Sequence, residues 1–324
     1  MPSPEMIFLV DEPGLRLDSF LSRASQKSRE FVQEQIQAGR VQINGKVAAK
    51  SSARLKPGDR IEVIFIVEPA LGLIPVPGNL DILFEDEAIL VLNKAQGVVV
   101  HPAAGHRGET LVHHLLHHFG NAEHFSALSP TRPGIVHRLD RGTSGVLLVA
   151  KQREVQENLS RQFKERVTKK EYESLAWGKM KDRGSFDSMI GRHRTDRKKM
   201  SSKTLKGRTA LTHFQTSLRF AHVSHVHLFP HTGRTHQLRV HCAEAGNPIL
   251  GDALYATRSV SLQTKQLHET IQATLAEIKY PFLHAKKLSF LHPQTNESLS
   301  FEAPRPANFQ TMLDLLGVHD AALV

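Results

Sequence analysis

Gly134-Ile135-Val136-His137-Arg138-Leu139-Asp140-Arg141-Gly142-Thr143-Ser144-Gly145 is the densest run of chemistry-bearing residues in the chain. An apolar stretch enters it. The run Val146 to Ala150, which suits a buried strand, leaves it. Asp140 is therefore expected on a short loop between core elements, between Arg138 and Arg141. Opposite charge nearby favours an ionised carboxylate, and such a group can act as a nucleophile. Taken alone, His-Arg-Leu-Asp fits an ordinary surface ion pair on a turn, because short motifs recur by chance.

Two further segments stand out downstream. His231-Thr232-Gly233-Arg234-Thr235-His236-Gln237-Leu238-Arg239-Val240-His241 reads as a turn into an amphipathic helix. Leu238, His241, Cys242 and Ala245 fall at i, i+3, i+4 and i+7, and Gly246 suits a C-terminal cap. Arg239 is expected off that buried stripe. Lys170-Glu171-Tyr172-Glu173-Ser174-Leu175-Ala176-Trp177 alternates as a strand, with Tyr172 on the face of Ser174 and Ala176. A packing role for Tyr172 is the simpler reading of that strand alone.

The rest of the chain divides around a linker. Residues 1–14 read as an extended arm. Residues 15–66 read as a small α/β module with two helices and a strand at Val41 to Ile43. An Asn44-Gly45 hairpin signal follows, then a strand from Ile61 after the turn Lys56-Pro57-Gly58-Asp59. Residues 67–79, rich in proline and glycine, read as the linker. Residues 80–305 carry short buried-strand runs (Ile82 to Phe84, Ala88 to Leu92, Gly145 to Ala150). Their helical patterns are Leu111 to Phe119, Val155 to Arg166 and Leu238 to Ala245. Residues 256–279 read as a helical insertion, and residues 306–324 as a C-terminal helix or tail. Strands and helices do not alternate regularly, which favours α+β over a doubly wound sheet.

Composition narrows the partner. The 324 residues carry 42 Lys and Arg against 32 Asp and Glu, a net charge of +10. That balance suits a polyanion, because Lys and Arg neutralise phosphates and release counterions. A merely solvated basic surface is the competing reading. The single cysteine, Cys242, permits no intrachain disulfide. The first 18 residues lack the pattern of a secretory signal, and no apolar run approaches the ~20 residues of a membrane helix. A cytoplasmic protein with no membrane partner is the expectation.

In this order, the three segments resemble the RluA-type family of pseudouridine synthases, and Arg192-His193 through Met200 with Gly207 to Ala210 resembles the branch of it that modifies large-subunit ribosomal RNA. The HRLD-x-x-TSG loop matches around Asp140, K-x-Y matches Lys170 and Tyr172, and TGR-x-HQ-[IL]-R matches Thr232 to Arg239. Gly246 to Asp252, Leu283-His284-Ala285 and His292-Pro293 add to the match. Residues 15–66 resemble an S4 RNA-binding domain through Arg16-Leu17-Asp18, Ser28-Arg29, Val41 to Gly45 and Gly58-Asp59.

The resemblance implies a mixed, mainly antiparallel central sheet with an S4 module ahead of it. It also implies an enzyme that isomerises uridine in structured RNA, with large-subunit ribosomal RNA as partner. Asp140 is implied as nucleophile, Arg239 as its ion-pair partner, and Tyr172 as the residue stacking near a flipped base and assisting with the C5 proton. Arg138 is implied to fill the gap left in the RNA stack. RNA contacts are expected from Arg16, Arg29 and Lys46, from Arg192, His193, Arg197 and Lys198, and from Arg234 and His236. No cofactor or metal is expected, and a monomer is. The chain departs from the family at Lys94-Ala95, where Lys-Pro is common, and at Tyr280-Pro281-Phe282, where an arginine is common.

His113, His114, His117 and His118 place two pairs at i, i+4, a spacing that can bind zinc. A solvated or partly packed helix is the expected reading, since no acid of a metalloprotease motif accompanies them. Transfer RNA as target, a non-catalytic RNA-binding factor and a metal-dependent hydrolase are the alternatives. The joint presence of Asp140, Tyr172 and Arg239 weighs against the binding-only reading.

Overall fold

The computed structural model describes residues 6–25, 27, 29–65, 74–102, 108–120, 125, 132–196, 198–204, 206–256 and 258–320. The chain divides into two compact units, Met1–Gly72 and Leu73–Val324. No helix among the described residues is long and apolar enough to cross a membrane.

The first unit contains β1 (Met6–Leu9), α1 (Leu17–Ser25), α2 (Arg29–Gln37), β2 (Val41–Ile43), β3 (Lys46–Val47) and β4 (Arg60–Val63). The helical spacing of Leu17, Phe20 and Leu21, and of Val32 and Ile36, brings these residues into one core with Val41, Leu55 and Ile61. Asn44 and Gly45, both at positive φ, make the β2–β3 turn. The sheet order is β1-β4-β2-β3. The expected N-terminal arm is thus corrected: residues 6–9 pair antiparallel with β4, and Val10 is buried. Without that pairing, one edge of β4 would leave its backbone donors unmatched.

The second unit contains β5 (Ile82–Glu85), β6 (Ile89–Lys94), α3 (Leu111–Phe119), β7 (Ser144–Ala150), α4 (Arg153–Glu165), β8 (Lys169–Trp177) and β9 (Arg183–Arg192). There follow β10 (Met200–Ser201), β11 (Arg208–Arg219), β12 (Val223–Pro230), α5 (Gln237–Glu244), α6 (Arg258–Thr264) and α7 (Glu269–Ala276). The unit ends with β13 (Leu283–Leu291), β14 (Ser298–Glu302) and α8 (Ala307–His319). One sheet runs β10-β9-β11-β12-β8-β13-β7-β6-β5, with β14 on β13. It is mixed and mainly antiparallel, as expected; β13 and β7 run parallel. Gly145 makes that pairing possible: its φ is +110°, and a Cβ there would overlap the carbonyl of Ala285.

Strand periodicity sorts the core. Leu90, Leu92, Leu147 and Val149 pack against Leu111, Val112, Leu115 and Leu116 of α3. The intervening Ile89, Val91, Val146 and Leu148 pack against Val155 and Leu159 of α4. Both faces are covered, so β6 and β7 read as continuous apolar runs. Leu175 and Trp177 of β8 meet Leu267, Ile271, Phe282, Phe309, Met312 and Leu316. The 256–279 insertion and α8 therefore complete this core; the expected C-terminal helix is no tail.

The expected linker needs correction in its second half. Val76 N–H donates to the carbonyl of His113 (3.1 Å), and the His114 ring nitrogen meets the carbonyl of Val76 (3.2 Å). Val76 thus ties this stretch to α3, both of its backbone groups finding partners there. Residues 66–73 lie outside the described residues.

Candidate active site

The catalytic-loop candidate is clamped from several sides. His137 Nε2 accepts the N–H of Leu148 (2.9 Å), and its ring stacks on Phe163 at 4.6 Å. Burial pushes its pKa down to about 3, so it stays a neutral acceptor. The Asp140 carbonyl accepts from Thr143 N–H (3.0 Å), closing a turn through Arg141 and Gly142. Gly97 N–H donates to the Arg141 carbonyl (2.8 Å). Gln96 donates from its side chain to the carbonyls of Gly142 and Pro281. Ser144 Oγ meets His284 Nδ1 at 2.9 Å.

The loop opens on a pocket of ≈ 460 Å³, within the range of small-ligand sites. Asp140 is its one acidic lining residue among the described ones, and Tyr172, Arg239, Arg138, Arg234 and His236 line it too. The structure thus brings together the three residues expected to be catalytic. Tyr172 lies on the face of Ser174 and Ala176, as β8 alternation requires. Burial, with the Asp140 charge adding, pushes its phenol well above the ordinary value.

Arg239 corrects the expectation. Its tight partner is Asp252, held through Nε (2.6 Å) and NH2 (2.7 Å); Asp140 Oδ2 is 4.0 Å from NH1. Nor does it project freely off the stripe. Its side chain is 12% exposed, since α5 also buries Gln237, Leu238, Val240, His241 and Cys242. The helix is packed nearly all round because β11 and the segment carrying Asp252 and Tyr255 cover it. The Arg239 guanidinium lies 5.0 Å from the Tyr255 ring centroid.

His236 is the second group near Asp140, with Nε2 3.8 Å from Oδ2. It takes a left-handed backbone, φ 55°. Its Nδ1 meets Tyr255 Oη at 2.9 Å, while that oxygen accepts Met200 N–H (2.8 Å). Burial holds the Tyr255 phenol up at about 12, so it keeps its proton. The other ring nitrogen of His236, Nε2, faces Asp140. Burial lowers the His236 pKa below its ordinary value.

The turn into α5 is organised by Gln237. Its Oε1 accepts from Thr232 Oγ1 (2.7 Å) and Arg234 N–H (3.0 Å), and its Nε2 donates to Leu211 O and Thr212 Oγ1. Lys94, read only as a departure from Lys-Pro, is buried and donates to the carbonyls of Ala95 and Val98. Burial pulls its pKa down to about 7, against the pull of Asp140. Asp252, Tyr255 and Lys94 are the site residues that sequence reasoning missed. Asp252 stood at the end of a quoted family match and Tyr255 lay beyond it, and spacing along the chain gave no sign that they reach Arg239.

The remaining expected RNA contacts lie elsewhere. Arg192, His193 and Lys198 sit on the β9–β10 hairpin at the sheet edge, with Lys198 exposed; Arg197 lies outside the described residues. His193 Nδ1 accepts from Asp196 N–H (3.1 Å), closing the loop. In the first unit, Arg16 and Arg29 both hold the buried Asp18 carboxylate at 2.9 Å, yet keep 39% and 50% of their side-chain surface exposed. Lys46 is exposed on β3.

Among the described residues, metal-ligand geometry has two candidates. The helix histidines are engaged separately: His113 with Thr110, His114 with Val76 and His118 with Glu85. Glu173, His225 and His227 place ligand atoms within 4.8 Å of one another. The Glu173 carboxylate, however, already holds Lys286 (2.8 Å) and Arg305, so a divalent cation would face two fixed positive charges.

Comparison with known proteins adds the following. The family model described as RNA pseudouridylate synthase matches residues 88–244, and the S4 domain model matches residues 15–61. An uncharacterized RNA pseudouridine synthase of Aquifex aeolicus is 37% identical, over 96% of this chain and 97% of that one. The ribosomal large subunit pseudouridine synthase D of Pasteurella multocida is 35% identical, over 95% and 93%. The solved structure of human RNA pseudouridylate synthase domain containing 1 matches with a TM-score of 0.56 and 28% identity, covering 76% of this chain and 91% of that one.

Proposed function

The chain belongs to the RNA pseudouridine synthase family, enzymes that isomerise uridine to pseudouridine in RNA, and from this we propose that Asp140 is its nucleophile and large-subunit ribosomal RNA its substrate. The observation that carries the assignment is the pocket, where Asp140 is the acidic lining residue among several cations. The relatives named for the ribosomal large subunit favour that RNA over transfer RNA.

The reaction breaks the bond from C1′ to N1 and makes one from C1′ to C5. C5 loses a proton and N1 gains one, so no net oxidation occurs. A base inside a helical stack cannot be turned over in place, so the uridine is extruded into the pocket at a cost of a few kcal/mol. Asp140 attacks it at C1′ or C6. His236 Nε2 and the Arg239 guanidinium face the carboxylate and orient it. Tyr172 offers an aromatic face to the uracil. Its raised pKa keeps the hydroxyl protonated at neutral pH, so it can take the C5 proton only after releasing its own. Arg138, exposed at the pocket mouth, fills the vacated stack.

The test is Asp140→Asn on unmodified large-subunit ribosomal RNA, read by release of tritium from C5-labelled uridine and by mapping pseudouridine. The amide is nearly isosteric but not nucleophilic, so isomerisation disappears while RNA binding persists. Activity within tenfold of wild type sinks the assignment. Turnover of transfer RNA alone moves the substrate reading.

A further inference from the structure

The pocket that holds Asp140 has an uneven charge balance. Lys170 reaches into it from β8, with Nζ 3.4 Å from the carbonyl of Thr232. Arg234 enters from the turn before α5, its Nε fixed on the carbonyl of Thr209 at 3.1 Å. Arg166 comes from the end of α4. The titratable groups that face Lys170 are Arg166 and Arg234, together with His137, which feels the lysine's charge. Arg208 adds to the field on Arg234. Among the described residues, no carboxylate acts on Lys170 or Arg234 to offset them. Burial, then Arg166 and Arg234, bring the Lys170 pKa down to about 8.

Such a cluster costs the folded protein self-repulsion, which a bound anion relieves. The backbone at Arg166 adds a second observation. It occupies the C-cap of α4 at φ 62°, where glycine is the residue without strain. A long cationic side chain there, lining the pocket, is what a ligand contact requires and a helix cap does not.

We propose that Arg166, Lys170 and Arg234 form a subsite for one phosphate of the RNA backbone, adjoining the uridine presented to Asp140. Three donors converging from a helix end, a strand and a turn suit a tetrahedral anion with several acceptor oxygens. The subsite fixes the register of the strand, so that the nucleotide carrying the phosphate places its base against Tyr172. It rests on the reading of this pocket as the place where a nucleotide of RNA is turned over.

The experiment uses the full-length protein, with C5-tritiated large-subunit ribosomal RNA as substrate and uridine 5′-monophosphate and uridine as competing probes. Against wild type, the monophosphate competes at least tenfold better than uridine, because charge-assisted hydrogen bonds to the phosphate are strong. The gap closes in Arg166→Gly and Lys170→Gln. Arg166→Gly relieves the backbone strain, so a folding defect cannot explain its loss. Affinity for the monophosphate falls as pH rises above about 8 through the raised pKa of the bound state, since Lys170 then loses its proton. Lys170→Arg keeps the affinity and removes that limb, which a merely structural lysine would not do. Equal competition by uridine and its monophosphate against wild type overturns the subsite, as does an unchanged gap in the variants. Failure of wild type to release tritium from any RNA overturns the functional reading instead, whatever the probes do.

Discussion

Replacing Arg239 by alanine should damage folding as well as catalysis. The guanidinium is mostly buried, forked onto an Asp252 carboxylate that is 1% exposed, with Asp140 4.0 Å from its other nitrogen. At an effective dielectric near 20, unit charges 4 Å apart interact by about 4 kcal/mol, before the cost of desolvation is counted. Breaking a buried pair by deleting one partner costs about 3–5 kcal/mol, because the other charge is stranded. With a urea slope of about 3 kcal/mol/M for a unit of this size, the midpoint should fall by roughly 1–1.7 M. Trp177, the single tryptophan, is buried in the second unit, so its fluorescence reports that unit alone. Arg239→Met combined with Asp252→Leu removes both charges and should recover most of the stability while leaving the enzyme inactive. An Arg239→Ala midpoint within about 0.3 M of wild type would refute the reasoning.

Activity is expected to survive excess chelator without added cofactor, measured by tritium release; loss restored by zinc would instead make Glu173, His225 and His227 a metal site. Acid should destabilise the second unit early. Burial lowers His101, His225 and His241 to about 4 from 6.5, so the unfolded chain binds more protons between those values. Stability falls as pH drops below about 6.5, by up to ~1.4 kcal/mol per unit for each histidine, and a flat midpoint from pH 7 to 5 would contradict this. Removing residues before Pro75 should weaken RNA binding and flatten its dependence on salt, since fewer counterions are released. Residual isomerisation should survive at high enzyme concentration, and an unchanged salt slope would show that the first unit touches no phosphate.

Local pattern and motif carried most of the fold. The alternation of β8 put Tyr172 on its face, and the apolar runs at β6 and β7 marked a sheet covered on both sides. Readings failed where they depended on distant partners, as at residues 74–79, which meet α3. Residues 6–9 look featureless until β4 stands beside them. Arg239 looked exposed because a helical wheel shows only one element, whereas Asp252 and Tyr255 approach from beyond the helix. The same limit hid Lys94: nothing in a short apolar strand announces that its terminal ammonium lies buried within reach of Asp140's charge.

The parallel pairing of β7 with β13 has a consequence in time. Ser144 and His284, whose side chains join the two strands, are 140 residues apart in the chain. The strand that leaves the Asp140 loop therefore gains this neighbour only after most of the polypeptide has been made. At about 5–20 residues per second, the interval is roughly 7–28 s of synthesis. Over that interval the nascent enzyme can assemble its first unit, the β5–β6–β7 strands and the β8-β12-β11-β9-β10 half of the sheet, but it cannot join the two halves, which meet only through β13. Competence arrives late, and nearly all at once.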